Sequence, residues 1–199
     1  AWEVIEGDIN GVPSPKILEK ACLAPGEADL LIGGPPCQPF SKSGYWARGD
    51  SLRLDDPRAD TLDAYLRVLR DTRPKAFLIE NVPGLAFKGK AEGLERILAR
   101  LNEINEEMGT RYRAHWAILN AADYGVPQLR ERVVIVGCRD GAPFTFPEAS
   151  HGTEGCRYHT AWDALGDLPR TPNEPGIAMG GKWADLLPTI PEGQNYLWH

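Results

Sequence analysis

The sequence lacks the features that mark membrane-spanning, secreted and strongly basic proteins. None of its apolar runs reaches the roughly 18–20 residues of a membrane helix, and no charged-then-apolar signal segment opens the chain. It has only four cysteines in 199 residues, none spaced as Cys-x-x-Cys, so we expect free thiols rather than a disulfide framework. Its 28 acidic residues outnumber its 22 basic ones, and a net charge of −6 by itself disfavours a nucleic-acid partner.

Glycine and proline are abundant, with 21 and 17 residues, so we expect long, shaped loops. Between those loops, short apolar runs typical of buried strands alternate with segments of helical periodicity. This alternation predicts an α/β fold with a mostly parallel sheet that is buried on both faces. The predicted strands are Glu3–Glu6, Asp29–Gly33, Lys75–Glu80, Tyr112–Leu119 and Arg132–Gly137.

Three helices are predicted between these strands. Ser14, which a proline follows, is an N-cap and first-turn signal for a helix that ends near Cys22. Apolar residues then recur at i, i+3, i+4 and i+7 from Leu62, which predicts a second helix. The same spacing from Leu94 predicts a third helix, which ends near Gly109.

The regular pattern stops after about residue 142, and residues 143–199 are predicted to be irregular. Residues 140–199 carry 3 basic and 8 acidic residues, whereas residues 1–139 carry 19 and 20, so the acidity belongs mainly to the tail. His151, Cys156 and His159 have a spacing compatible with metal ligands. They lack a clear fourth ligand, so we predict no metal site.

Three loops at the ends of predicted strands carry reactive side chains. An open α/β sheet binds its ligands at such strand ends. Two glycines and three prolines hold Cys37 on a stiff turn, and Glu80 ends an apolar strand. Arg130 and Arg132, two residues apart at the start of a strand, face the same side of the sheet. Each feature alone also fits an ordinary role: a buried thiol, a polar turn and a rim of surface salt bridges.

The sequences around these three loops are GGPPCQPFS (33–41), ENVPG (80–84) and GVPQLRER (125–132). Together and in this order they resemble the Pro-Cys-Gln, Glu-Asn-Val and Gln-x-Arg-x-Arg motifs of the 5-methylcytosine-forming DNA methyltransferases. The resemblance covers about residues 3–139. It implies a Rossmann-like, S-adenosylmethionine-dependent methyltransferase fold that is truncated at its N-terminus. Residues 1–142 would form part of the catalytic domain, and residues 143–199 would lead into the target-recognition region.

The resemblance implies a covalent mechanism on cytosine. The Cys37 thiolate would add to carbon 6 of the ring and so raise the electron density at carbon 5. Glu80 would meet the charge at ring N3 with a proton or hydrogen bond, and Asn81 would position it. Arg132 would bind the O2 of the base and hold Glu80, while Arg130 would lie beside the thiol loop or a phosphate. The implied catalytic set is Cys37, Gln38, Glu80, Asn81, Arg130 and Arg132.

S-adenosylmethionine is the methyl donor that the resemblance implies. Asp8 and Ile9 match the family's contact to the adenine, Leu62 matches an apolar cofactor contact, and Pro36 is expected to touch the cofactor as well. The family's Phe-x-Gly-x-Gly loop and ribose-binding acid are not found in the sequence, and the chain begins without methionine. We therefore expect a fragment of a longer enzyme that is inactive by itself.

Residues 41–58 resemble the family's mobile loop that closes over a base flipped out of the duplex. The DNA contacts expected in this loop are Ser41, Lys42, Arg48 and Arg53.

We expect a monomeric bacterial protein that lies in the cytoplasm, is associated with the nucleoid and methylates double-stranded DNA. A cognate restriction endonuclease is expected in the same system, without a stable complex between the two proteins. Two alternatives stay open: methylation of tRNA with the same motifs, and a catalytically silent nucleic-acid-binding relative.

Overall fold

The computed structural model describes residues 3–36, 60–86, 92–168, 184–191, 194 and 198. The chain divides into two compact units, Ala1–Ala164 and Leu165–His199, and the first unit contains every described strand. This division is separate from the functional boundary predicted between residues 142 and 143, which stays a prediction. In the described part of the chain, no helix has both the length and the apolar character needed to cross a bilayer.

Helices and strands alternate through most of the first unit. Short 3₁₀ turns lie at Ile9–Gly11, Pro83–Ala86 and Ala121–Tyr124, and a further one at Ala184–Thr189 lies in the second unit. The helices predicted around Leu62 and Leu94 are confirmed, and the apolar residues at helical spacing are buried in the core, apart from Leu98, which is 37% exposed. The elements are α1 (Ser14–Ala21), β1 (Leu30–Gly33), α2 (Asp60–Thr72), β2 (Ala76–Asn81), α3 (Glu92–Met108), β3 (Arg113–Asn120), β4 (Glu131–Cys138) and α4 (Ala161–Leu165).

The described sheet is mixed, with the strand order β1-β2-β4-β3. Strand β1 pairs in parallel with β2, whereas β4 lies between β2 and β3 and runs antiparallel to both. The α/β class and the mostly parallel sheet are thus confirmed: β1, β2 and β3 run in one direction, and among the described strands β4 opposes them. The direction of β4 follows from the link between β3 and β4: residues 121–130 contain a 3₁₀ turn and are too few for the helical crossover that parallel neighbours require.

Two local predictions are wrong because tertiary contacts decide them. Glu3–Glu6 does not form a strand in the described chain, since no neighbouring strand pairs with it, and Val4 is 80% exposed. Ser14 is not the N-cap of α1, because Pro13 takes that position and Ser14 lies inside the helix. The buried Ser14 hydroxyl instead accepts a 2.9 Å hydrogen bond from Arg67.

The hydrophobic core lies on one face of the sheet. Phe77 and Ile79 of β2 and Ile135 of β4 are fully buried there, beneath apolar residues of α2 and α3. On the other face, Leu30 and Ile32 of β1 are 50% and 65% exposed. Both long helices pack on the same face, and the expected burial on both faces is wrong for β1.

Tyr65 of α2 connects the core to both parallel strands. Its hydroxyl lies 3.1 Å from the carbonyl oxygens of Leu31 on β1 and Leu78 on β2. Burial raises the pKa of Tyr65, so the hydroxyl stays protonated and can donate. The ring packs against Gly33, the last residue of β1, where a Cβ would lie 2.5 Å from two ring carbons. Tyr65 therefore links the two parallel strands and leaves no room for a side chain at the end of β1.

We predict that Gly33→Ala destabilises the protein by about 1–3 kcal/mol, because the added methyl group must displace the Tyr65 ring. Urea denaturation followed by circular dichroism measures the change. Gly11→Ala is the matched control, since no atom lies within 4 Å of its Cβ, and we expect a change of at most about 0.5 kcal/mol. Equal unfolding midpoints for the two variants would contradict the role assigned to the Tyr65 ring.

Candidate active site

The antiparallel pairing of β2 with β4 brings a carboxylate and two arginines together. Glu80 lies opposite Val134 in the ladder, so Arg132, two residues earlier on β4, lies diagonally across from it on the same face. The Arg132 Nε atom is 2.8 Å from Glu80 Oε1, and the Arg130 Nη2 atom is 3.9 Å from the same oxygen. The two arginines that were predicted to share a side of the sheet thus approach one carboxylate, but only Arg132 lies within hydrogen-bond distance of it.

The main effect of the Glu80–Arg132 ion pair is to orient the two side chains, and its contribution to the stability of the fold is small. The Glu80 side chain is 42% exposed and that of Arg132 is 26% exposed, and ion pairs with this much solvent contribute about 1 kcal/mol or less. Arg132 also donates a 2.6 Å hydrogen bond from Nη1 to the Glu131 carbonyl, which fixes the plane of the guanidinium. The carboxylate is therefore held in a defined direction while it stays open to a ligand.

Asn81 connects the end of β2 to the loop that follows β1. It is buried, and its side-chain nitrogen donates a 3.0 Å hydrogen bond to the Pro35 carbonyl. Its side-chain oxygen accepts a 2.8 Å hydrogen bond from the Val82 amide. A Cβ on Gly34 would lie 3.3 Å from Glu80 Oε2, so this loop passes directly beside the carboxylate. The segment that leads to residue 37 and the Glu80 carboxylate thus belong to one site.

Several predicted site residues lie outside the described residues. The described chain on either side of residues 37–59 converges at this site, because the Thr61 hydroxyl donates a 3.3 Å hydrogen bond to the Pro36 carbonyl. The predictions that fall in this range are Cys37, Gln38, Ser41, Lys42, Arg48 and Arg53, and they stay predictions.

The residues predicted to contact a cofactor gather around α2. The 3₁₀ turn Ile9–Gly11 packs on α2, and Arg67 of that helix donates a 2.8 Å hydrogen bond to the Ile9 carbonyl. One Asp8 carboxylate oxygen caps this turn by accepting a 2.9 Å bond from an amide, and the side chain is exposed. Pro36 is exposed as well, whereas Leu62 is buried in the core cluster.

Asn120 is a positioning residue to which the sequence motifs assign no role. Its side-chain oxygen accepts hydrogen bonds from the Ala122 amide at 3.2 Å and the Arg130 amide at 3.0 Å. The Arg130 carbonyl in turn accepts a 2.9 Å bond from the Ala121 amide. This network closes the loop before β4 and fixes the backbone from which the side chains of Arg130 and Arg132 extend. An asparagine directly after a strand, where its side chain can bond to nearby backbone, is the sequence signal for this role.

The two histidines considered as metal ligands pack on the turn before the arginines. The His151 and His159 rings meet edge to face with centroids 4.7 Å apart, and a Cβ on Gly125 would lie 2.9 Å from the His151 ring. The His159 Nδ1 atom lies 3.1 Å from the Gly125 carbonyl oxygen. Across the described ranges, no three His, Cys, Asp or Glu side chains are arranged to hold a metal ion.

Comparison with solved structures defines the class of the fold. A candidate DNA modification methyltransferase encoded within an E. coli prophage matches with a TM-score of 0.56 and 24% identity, over 94% of this chain and 51% of that one. The methyltransferase EhMeth of Entamoeba histolytica matches with a TM-score of 0.51 and 23% identity, over 73% of this chain and 40% of that one. The fold is therefore the mixed α/β fold of methyltransferases.

Sequence comparison then identifies the family. The sequence model of C-5 cytosine-specific DNA methylases matches residues 2–195, and the chain belongs to this family. Type II methyltransferase M.SacI of Streptomyces achromogenes is 43% identical over 97% of this chain and 50% of its own length. M.AquIA of Picosynechococcus sp. is 42% identical over 88% of this chain and 74% of its own length. The chain thus spans half to three quarters of the length of these two relatives.

We predict that Asn81→Ala lowers the free energy of unfolding by about 1–3 kcal/mol, because it leaves the Pro35 carbonyl and the Val82 amide without their partner. Denaturant titration measures this loss. Asn102→Ala on the exposed surface of α3 is the control, and we expect it to stay within about 0.5 kcal/mol of the parent. A loss no larger at Asn81 than at Asn102 would show that the contact with Pro35 does not hold the two loops together.

Proposed function

We propose that the protein transfers a methyl group from S-adenosylmethionine to carbon 5 of cytosine in double-stranded DNA. The observation that carries this proposal is the Glu80 carboxylate, oriented by Arg132 and flanked by the loop that leads to Cys37. Membership of the C-5 cytosine-specific DNA methylase family and the names of the Type II relatives support DNA as the substrate and a role in restriction and modification.

Cys37 is the proposed nucleophile. Carbon 5 of cytosine is a poor nucleophile, and addition of the Cys37 thiolate to carbon 6 pushes the ring electrons toward carbon 5. After methylation, loss of the proton from carbon 5 restores the double bond and expels the thiolate. Carbon 6 is inaccessible within a stacked duplex, so the cytosine must rotate out of the helix to meet this residue.

Glu80 is the proposed partner of ring N3, where negative charge develops when the thiolate adds. A carboxyl group that donates a proton or a strong hydrogen bond to N3 lowers the energy of that state. Arg132 holds the carboxylate at one oxygen and has the donors needed to reach the O2 of the same base. Asn81 keeps the two loops of the site together, and Arg130 and Gln38 complete the proposed catalytic set.

The residues around α2 fit an adenosyl group. Asp8 offers an exposed carboxylate that can accept a hydrogen bond from the exocyclic amine of adenine. Ile9 and Pro36 offer apolar surface for the adenosyl group. Leu62 would act from within the core, by shaping the wall behind that surface. When bound there, S-adenosylmethionine supplies an electrophilic methyl group. DNA contacts are proposed for Ser41, Lys42, Arg48 and Arg53.

We predict that Cys37→Ser in the complete protein reduces methyl transfer to background and abolishes covalent capture of a duplex that contains 5-fluorocytosine. Fluorine at carbon 5 cannot leave as a cation, so the thiol adduct of an active enzyme persists and is seen as a shifted band in a denaturing gel. Cys22→Ser is the matched control, because Cys22 is exposed and free, and it should retain both activities.

The same assay with matched DNA and RNA distinguishes the substrates. Product found only in RNA would contradict the DNA assignment, and capture that persists in Cys37→Ser would contradict the assigned nucleophile.

We predict that Arg132→Ala lowers kcat/KM for methyl transfer by about 100-fold or more, and Arg130→Ala by about 10-fold or less. Only Arg132 is within hydrogen-bond distance of Glu80, at 2.8 Å against 3.9 Å for Arg130. Steady-state kinetics with labelled S-adenosylmethionine measure both values. Equal losses, or a larger loss for Arg130→Ala, would show that the Arg132 contact does not orient Glu80 in the reaction.

A further inference from the structure

A cavity of about 360 Å³ opens at the edge of the sheet opposite to Glu80. Strands β1, β2 and β3 begin at this edge and β4 ends there, whereas Glu80 and Asn81 lie at the far end of β2. At about 3.3 Å per residue, the length of β2 separates the two edges by roughly 16 Å. The residues that the proposed reaction uses therefore do not line this cavity.

Three arginines from different segments line the cavity. Arg73 precedes β2, Arg111 precedes β3 and Arg139 follows β4. None of the three forms an ion pair with a carboxylate within the described part of the chain. The one acidic residue in the lining, Asp140, uses a carboxylate oxygen to accept a 3.0 Å hydrogen bond from the Ala142 amide. Three positive charges and one negative charge leave the lining with a net charge of +2.

The Arg139 side chain and the backbone of Arg111 are held by the fold without any ligand. Arg139 Nη1 donates to the carbonyl oxygens of Gly26 at 2.9 Å and Arg73 at 2.6 Å. The Arg111 amide donates a 2.9 Å bond to the Arg139 carbonyl, which ties the backbone segments before β3 and after β4 together. Arg73 Nε is buried and has no hydrogen-bond partner. A buried donor without an acceptor is unfavourable.

The position of the arginines at the C-terminal ends of α2 and α3 accounts for only part of this arrangement. Cations are favourable at helix C-termini, and Arg139 bonds to backbone carbonyls there. That explanation leaves Arg73 Nε without a partner and gives no role to the Arg111 guanidinium. The positive charges of Arg139 and Arg73 also partly offset the rise that burial causes in the pKa of Tyr112, so their field reaches into the protein.

We propose that this cavity binds a phosphate-bearing anion. Guanidinium groups bind phosphate oxygens through paired hydrogen bonds, and three arginines in the lining of one cavity with a net charge of +2 suit a phosphate or diphosphate group. The volume exceeds that of one phosphate and lies in the range of small-molecule sites. The phosphate belongs either to a free small molecule or to the backbone of a nucleic acid, and the chemistry of recognition is the same.

We predict that inorganic pyrophosphate binds the protein with one-to-one stoichiometry and that Arg111→Gln weakens this binding at least 10-fold, as measured by isothermal titration calorimetry. Arg111 is the best position to change, because no described contact of the fold depends on its guanidinium. Arg113→Gln is the matched control: it removes the same charge two residues away, from an exposed position outside the cavity, and should change the affinity less than twofold.

Circular dichroism and thermal midpoints confirm that both variants are folded, and the readout needs no methyl transfer. A parallel titration with a labelled duplex identifies the source of the phosphate. If duplex binding weakens in Arg111→Gln but not in Arg113→Gln, the phosphate group belongs to the nucleic-acid backbone. If duplex binding is unchanged in Arg111→Gln, the phosphate group belongs to a free small molecule. Absence of saturable pyrophosphate binding, or equal loss in the two variants, would overturn the proposal.

Discussion

The antiparallel pairing of β2 with β4 is the constraint on which the site depends. Strand β4 enters the sheet between β2 and β3, so its first residues lie against the last residues of β2. This arrangement places Arg132 across from Glu80, although 51 residues separate them in the chain. The Glu80–Arg132 pair is half-exposed and contributes little to the stability of the fold. The strand ladder and the core beneath the sheet supply that stability, and the pair orients the Glu80 carboxylate.

The contacts around this ladder make a single site from distant segments. Tyr65 holds β1 and β2 from beneath, Asn81 holds the loop after β1, and Asn120 holds the entry to β4. Each of these side chains bonds to backbone rather than to another charge, so the geometry does not depend on ionic strength. The same sheet separates this site from the arginine-lined cavity by the length of its strands, and binding at one edge does not obstruct the other.

The helices were predictable because their signal is local. Apolar residues at i, i+3, i+4 and i+7 mark both α2 and α3, and that spacing is visible in the chain itself. The direction of β4 was not predicted, because the alternation of helices and strands stops before it: β3 and β4 have no helix between them, and a short loop makes them antiparallel. Glu3–Glu6 shows the same limit: an apolar alternation becomes a strand only where a neighbour supplies hydrogen bonds.

The sequence by itself determined the family, through three short motifs whose order and residue types are specific, and it named Glu80, Asn81 and both arginines as members of one site. The tertiary structure alone decided the distances of Arg132 and Arg130 from the Glu80 carboxylate, the closure of the loop before them by Asn120, and the cavity that three arginines share at the far edge. The physical reason is that motifs and periodicities are properties of neighbouring residues. Strand register and side-chain contacts instead arise between segments tens of residues apart, where only the folded backbone sets the distances.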